Sequence, residues 1–302
     1  MPNQRMALRA GRRRLPGLLL AVAAVALAAH VQASAPHNFL WKASGQTGVV
    51  YLVGSLHMLT QRYYPLDPAI QQAFQESDLL VEEVDLGEML APQVQLSILM
   101  LSRLPDGQTL DKVLSPATMA LLNKFTADLG AAAEVLNNFK PWMLATVIEG
   151  LELLKAGFNP TLGLDRYFYD LAVRGGKAVK GLETAEYQIS LFDQLTMDQQ
   201  DRFLAETLKQ LATEKANVTR LADAWRLGDA DTIERIVLAE LESDAAIYQR
   251  LLVERNRNWL PQIEALFTRP GRTFVVVGAA HLVGPDGLLQ LLKAKGYRVE
   301  QM

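Results

Sequence analysis

Two histidines near opposite ends of the chain end the same pattern. Val49–His57 reads Val-Val-Tyr-Leu-Val-Gly-Ser-Leu-His, and Thr273–His281 reads Thr-Phe-Val-Val-Val-Gly-Ala-Ala-His. Each is a β-branched apolar run, too short for a buried helix, that closes on Gly-x-x-His, which reads as a core strand delivering an imidazole to its carboxyl end. The other two histidines, His30 and His37, stand in or just behind an N-terminal apolar segment. A single core histidine is usually a hydrogen-bonded packing residue. The matched pair shifts the reading of His57 and His281 to metal ligands. Two neutral imidazoles with a carboxylate leave positions open on a divalent ion, which lowers the pKa of a bound water or polarises a carbonyl. The chain has no cysteine, so a thiol nucleophile and thiolate ligands are excluded and any ion must be held by His, Asp or Glu. Manganese, cobalt, zinc and iron all suit such a donor set.

Several acidic and polar residues are placed to complete a site. Asp78–Leu86 reads as a strand one helix after His57, broken by Glu82, Glu83 and Asp85. Alternation sets Glu83 and Asp85 on one face and Glu82 on the other, without saying which face holds the site. A strand running out into solvent explains such charges as well as a site does. Their place beyond the carboxyl end of a strand, where α/β proteins bind ligands, makes them candidates. Glu183 leaves a second short strand, Lys177–Glu183, and Gln188 starts the helix behind it; both are candidates for substrate binding, although Glu183 also suits a helix cap. Asp165, at the opening of the preceding helix, joins them. Glu254–Trp259 is a dense polar run in an otherwise apolar helix, so at least one of Arg255, Asn256 and Asn258 points inward, and an inward Arg needs an anion or carboxylate partner.

The elements that must position these groups form a duplicated pattern. Pro65–Ser77 and Pro285–Lys295 read as helices after the two histidine strands, and each leads to another apolar run, Asp78–Leu86 and Tyr297–Glu300. Two strand–GxxH–helix–strand units imply an α/β core sheet with a large, mostly helical insertion between its halves, roughly over 88–267. Within it, helical spacing covers Glu88–Leu104, Ser115–Leu129, Lys140–Ala156, Leu162–Arg174, Thr184–Leu195, Asp198–Leu227, Ala230–Leu238 and Ser243–Phe267. Phe39–Lys42 and Gly48–Ser55, joined by a turn, predict a hairpin. Arg9–Arg14, the apolar Leu15–Ala29 and Val31-Gln32-Ala33 predict a signal peptide over 1–33, with a single mature domain over 34–302 in the periplasm or secreted, and no membrane contact after cleavage. Lys+Arg of 30 against Asp+Glu of 33, with no basic cluster after residue 14, excludes a nucleic-acid partner.

Gly54-Ser55-Leu56-His57, Glu83-Val84-Asp85-Leu86, Gly181-Leu182-Glu183-Thr184, Arg255-Asn256 and Val277–Gly284 together resemble the TraB/PrgY/GumN family, collinearly from Phe39 to Glu300. The resemblance implies a duplicated α/β fold and, by similarity to the Tiki proteases, a metal-dependent hydrolase acting on peptide bonds. It assigns His57, Glu83 and His281 to the active centre, with Arg255 and Asn256 as accessory polar residues. Glu83 would complete the ion's shell or act as general base, and Arg255 would meet developing negative charge. The competing expectation is a protein that binds a metal, peptide or cofactor without turnover, or an accessory factor in envelope or polysaccharide export.

Overall fold

A computed structural model describes residues 38–45, 47–127, 136–241 and 244–302. The expected signal segment and His37 lie outside the described residues. Six strands form one sheet: β1 (Leu40–Ser44), β2 (Gly48–Ser55), β3 (Leu79–Glu82), β4 (Ala178–Gly181), β5 (Gly271–Gly278) and β6 (Arg298–Gln301), in the order β4-β3-β5-β2-β1-β6. β1 runs antiparallel to its neighbours β2 and β6, while the β2–β5, β3–β5 and β3–β4 pairs are parallel.

The two apolar runs make the centre of this sheet. β2 and β5 pair along their whole length, from Gly48 opposite Gly271 to Ser55 opposite Gly278, and the last six residues of each are buried. Such continuous burial is what a strand covered on both faces requires. The duplication is interleaved. β3 lies across β5 from β2, and β6 lies beyond β2 and β1 from β5, so both histidine strands share the middle and release their histidines at one edge.

The helices that matter for the site are α1 (Pro68–Gln75), α2 (Pro141–Lys155), α3 (Leu164–Gly175), α4 (Ala185–Asp193), α5 (Met197–Arg226), α6 (Ala230–Leu241), α7 (Glu254–Leu266) and α8 (Leu288–Ala294). Their starts follow from local chemistry. Proline occupies the first turn of α1 and α2, where a missing N–H is harmless. Thr184 caps α4, and Thr196 with Gln199 forms a capping box at the head of α5. From β3 to β5 the described chain is helical apart from short elements and β4, which joins the sheet at its edge. Phe39, Phe168, Trp259 and Phe274 pack on the sheet, and a second cluster around Leu144, Ile148 and Leu204 joins α2 to α5.

Three expected elements differ. The strand over Asp78–Leu86 stops at Glu82, because Asp85 turns to accept a hydrogen bond from Gly87 N–H and caps a short helix, Leu86–Met89. The helix over Glu88–Leu104 is divided there, and resumes at Pro92–Leu101 after the chain extends at Ala91, as a residue before proline must. The helix over Ser243–Phe267 contains a π-helical turn, Gln249–Val253, directly before α7. No helix among the described residues is long and apolar enough to cross a membrane.

Gly54 is required by packing. A Cβ there would lie 2.1 Å from Cε1 of the buried Phe39 ring. Gly54→Ala is expected to cost about 1–3 kcal/mol, as overpacking in a dense core does, measured as a lower urea midpoint; an unchanged midpoint would show that Phe39 relaxes freely.

Candidate functional site

Glu83 stands one residue past β3 and points toward β5. Its Oε1 accepts a hydrogen bond from Gly278 N–H at 2.7 Å, and its Oε2 accepts from Arg255 Nη2 at 2.5 Å and Gln188 Nε2 at 3.1 Å. Burial opposes its ionisation, but Arg255, then His281 and His57, and the Gly278 N–H outweigh this and hold the carboxyl far below the usual carboxylate range. Glu82, on the opposite face, is buried 2% exposed, and burial with Asp165 nearby pushes it up to about 9. It is therefore uncharged at neutral pH. Of the two adjacent glutamates, Glu83 is the one that faces the site.

Arg255 reaches the floor of the site from the first turn of α7. It donates through Nη2 and Nε to Glu183 Oε1 at 2.7 and 3.1 Å, and through Nη1 to Leu251 O at 3.2 Å. Trp259, one turn on, lies under the guanidinium at 4.6 Å and donates its indole N–H to Glu183 Oε2 at 2.9 Å. Gln188 Nε2 also reaches Glu183 Oε1, at 3.2 Å. One cation between two buried carboxylates, with an aromatic face below, is a dense charge-assisted network.

Each histidine is fixed by a side-chain oxygen on its Nδ1. Asn256 Oδ1 lies 2.7 Å from His281 Nδ1, and Asn256 Nδ2 donates to the backbone oxygens of His281 and Asp286 at 3.2 and 2.8 Å. Arg255 Nη1 lies 2.9 Å from His281 Nε2. An arginine only donates, so Nε2 is the acceptor and Nδ1 carries the proton. Burial pushes the ring down to about 3, in keeping with this neutral tautomer. His57 is held by Asp165, whose Oδ2 lies 2.8 Å from Nδ1. Asp165 pushes it up to about 9 against the effect of burial. The side chain is nevertheless 68% exposed, because it opens onto a cavity walled by protein.

These groups converge on Gly278. A Cβ built there would lie 3.2 Å from Glu83 Oε1, 3.5 Å from His281 Cδ2 and 3.7 Å from His57 Nε2. The gap left by the missing side chain is therefore the meeting point of both motifs and the carboxylate. The cavity above it is about 970 Å³, at the upper end of the ~300–1,000 Å³ usual for ligand sites. Its walls are largely apolar, with Leu153, Phe192, Phe203, Val218 and Leu251 among them.

Of the residues expected from sequence, His57, His281, Glu83 and Arg255 line this cavity. Asp165, Asn256, Glu183 and Gln188 stand behind them: Asp165 on His57, Asn256 wholly buried on His281, and Glu183 and Gln188 on the Arg255–Glu83 pair. Sequence reasoning missed Glu149 on α2 and Ser55 in the first motif, both of which line the cavity. Glu149 was readable as the one acid among the apolar residues Trp142–Leu151; nothing marks Ser55, whose counterpart is Ala279.

The donor set suits a divalent ion in its chemistry. Each imidazole has its Nδ1 tied to a side-chain oxygen, the arrangement that orients metal-ligating histidines, and His57 Nε2, His281 Cδ2 and Glu83 Oε1 border the gap at Gly278. Among the described residues no three His, Cys, Asp or Glu side chains are drawn together as an ion shell. The guanidinium instead occupies the Nε2 side of His281 and balances Glu83.

The profile of the TraB/PrgY/gumN family matches residues 39–301. YbaP of Escherichia coli (strain K12), described as an uncharacterized protein, is 27% identical over 243 residues, covering 80% of this chain and 87% of that protein. An uncharacterized protein of Treponema pallidum (strain Nichols) is 18% identical over 270 residues, 85% of this chain and 81% of the other. The metalloprotease TIKI2 of Danio rerio is 24% identical over 319 residues, 87% of this chain but 61% of TIKI2. No solved structure matches.

In the metal-free protein, NMR is expected to show His57 titrating near pH 9 and His281 neutral down to about pH 3. Asp165→Asn should return His57 toward ~6.5. The raised pKa means that the pair stabilises the fold fully below about 6.5 and less as pH climbs through about 9, by less than the shift implies because water screens an exposed ring. An unshifted His57 in wild type would show that Asp165 does not hold it.

Arg255→Ala should cost ~3–5 kcal/mol, since it leaves Glu83 and Glu183 buried without a cation. Adding Glu183→Gln should recover part of that loss in chemical denaturation; a double variant no more stable than Arg255→Ala would remove the claim of mutual repulsion.

Proposed function

The chain belongs to the TraB/PrgY/gumN family, and from that premise we propose that it is an exported, metal-dependent hydrolase of peptide bonds. The observation that carries the reading is the meeting of both Gly-x-x-His histidines with Glu83 at Gly278, where His57 brings its Nε2 and His281 its Cδ2, while Asp165 and Asn256 hold the two Nδ1 atoms. The similarity to the metalloprotease TIKI2 supports the class of reaction, and the N-terminal basic and apolar run supports export.

His57, His281 and Glu83 would hold the ion, and manganese, cobalt, zinc and iron all suit these donors. A divalent ion so held supplies Lewis acidity toward a carbonyl and a water of lowered pKa. The chain's own residues do the rest. Asp165 and Asn256 fix the ring orientations. Arg255 keeps Glu83 ionised, and a carboxylate held so far below its usual range is a poor proton acceptor, which favours Glu83 as a donor atom over a general base. The Arg255 guanidinium, already at the Nε2 side of His281, is placed to meet negative charge that develops on a substrate oxygen. Apolar walls exclude water and take the flanking parts of a peptide.

A second reading has its own support. Glu83 and His281 are bonded to Arg255 as they stand, which suits a site that binds a metal, peptide or cofactor through polar groups without turnover, as an accessory factor in envelope or polysaccharide export would.

The test is elemental analysis of the purified protein beside cleavage of a peptide panel. Wild type should carry stoichiometric metal and cleave peptides; His57→Ala and His281→Ala should lose both. Gly278→Ala isolates the gap. Its backbone, φ −50° and ψ 140°, accepts any residue, and a methyl would displace Glu83 Oε1 only slightly while filling the meeting point. That variant should fold normally yet lose metal, with cleavage down about a hundredfold or more. Metal bound equally by wild type and the double histidine variant would refute the ligand assignment; retained ligand with no cleavage of any peptide would turn the assignment to the second reading.

A further inference from the structure

Helix α2 presents Thr146, Glu149, Gly150 and Leu153 to the cavity, positions that fall on one face of a helix, while Leu144, Ala145 and Ile148 on the other face are buried in the second core cluster. Glu149 is thus pinned to the cavity wall by the packing behind it. Its side chain is open to the cavity and enclosed by protein beyond, and the carboxyl is raised by that burial, with His57 the charged group that opposes the rise. It therefore faces the reaction centre across the cavity.

Among the described residues, the other charged groups lining this space are already answered. Arg255 is paired with Glu83 at 2.5 Å, Arg202 with Asp244 at 2.8 Å, Lys209 with Glu206 at 3.4 Å, and His57 with Asp165 at 2.8 Å. Glu149 has no hydrogen bond or ion pair among the described residues. Among the described residues it is thus a carboxylate of the cavity with no counter-charge of its own, open to a cation that enters between apolar walls.

We propose that Glu149 is a specificity-determining residue that binds a cationic group of the substrate, an ammonium or guanidinium beside the bond to be cut, and so selects peptides carrying a positive charge next to an apolar segment. The inference rests on the hydrolase reading for the bond cut but not for the binding. The ammonium comes either from a free peptide N-terminus or from a Lys side chain.

Binding of short peptide amides to the wild-type protein, followed by intrinsic fluorescence and calorimetry, tests it without turnover. The probes are Leu-Phe-Leu-Ala-amide with a free N-terminus, the same peptide N-acetylated, and acetylated versions with Lys at each position in turn. At least one cationic peptide should bind tenfold or more tightly than the acetylated neutral one, and which one tells N-terminus from side chain. Glu149→Gln should erase that difference while leaving the neutral peptide's affinity unchanged, and Glu149→Lys should favour an acetylated Glu-containing peptide instead. Equal affinities in wild type, a preference that survives Glu149→Gln, or no binding of any peptide would each overturn the inference. Cleavage of the same set is scored separately: a Glu149-dependent preference without cleavage keeps this inference and removes the hydrolase, whereas cleavage without a preference does the reverse.

Discussion

The guanidinium of Arg255 enclosed between Glu83 and Glu183 is the interaction on which the site depends. It joins the ends of β3 and β4, the first turn of α7 and the turn carrying His281 through one planar, always-charged group. Two buried carboxylates at this depth would otherwise have to be protonated or separated. With the arginine between them Glu83 stays ionised, Glu183 is paired with Arg255 and accepts the Trp259 indole N–H, and His281, neutral through burial, is given a defined tautomer. The ionisation of Glu83 follows from that placement, while burial sets the state of His281 and Asp165 that of His57. A buried ion network contributes little net stability compared with an apolar core, so its justification is the arrangement it enforces.

Much of this was legible in the chain. The paired Gly-x-x-His runs are buried strands because eight-residue β-branched stretches have few alternatives, and runs apolar on both faces call for helices on both sides of the sheet; that the two pair with each other is seen only in the fold. The dense polar run implied that at least one of Arg255, Asn256 and Asn258 points inward and that an inward arginine needs an anion or a carboxylate. What could not be read was which carboxylate, since strand alternation separates Glu82 from Glu83 without naming the inner face. Asp165 was marked only by its place at a helix start. Its pairing with His57 spans 108 positions in sequence and depends on how α3 docks on the sheet, which no local pattern encodes. The strand at 78–86 was overextended because Asp85 reads as a strand residue by alternation but acts as a helix cap.

The duplicated glycines show how one motif can serve two purposes. Gly54 and Gly278 occupy equivalent places, and a strand bending into a loop accounts for both at the level of sequence. In the fold, Gly54 is the seat of the Phe39 ring, which closes the sheet from the outside, whereas Gly278 faces Glu83 and the two imidazoles. The strands are also staggered by one residue, with Gly54 opposite Val277 and Ser55 opposite Gly278. The two halves are therefore not symmetric about the cavity. His57 opens onto it while His281 is packed below Trp259 with ring centroids 4.4 Å apart.

The π-helical turn over Gln249–Val253 immediately precedes Arg255. An additional residue inside a helix advances everything downstream by roughly 100° about the axis. The azimuth of Arg255, Asn256 and Trp259 is therefore set by a local widening of the helix together with their own contacts. Loss of any one residue from that loop of chain would let the helix close into regular winding, with tidier backbone bonding and an unchanged inventory of side chains. The cation would then swing away from both acids, and a silent-looking deletion would dismantle the floor of the cavity from a distance.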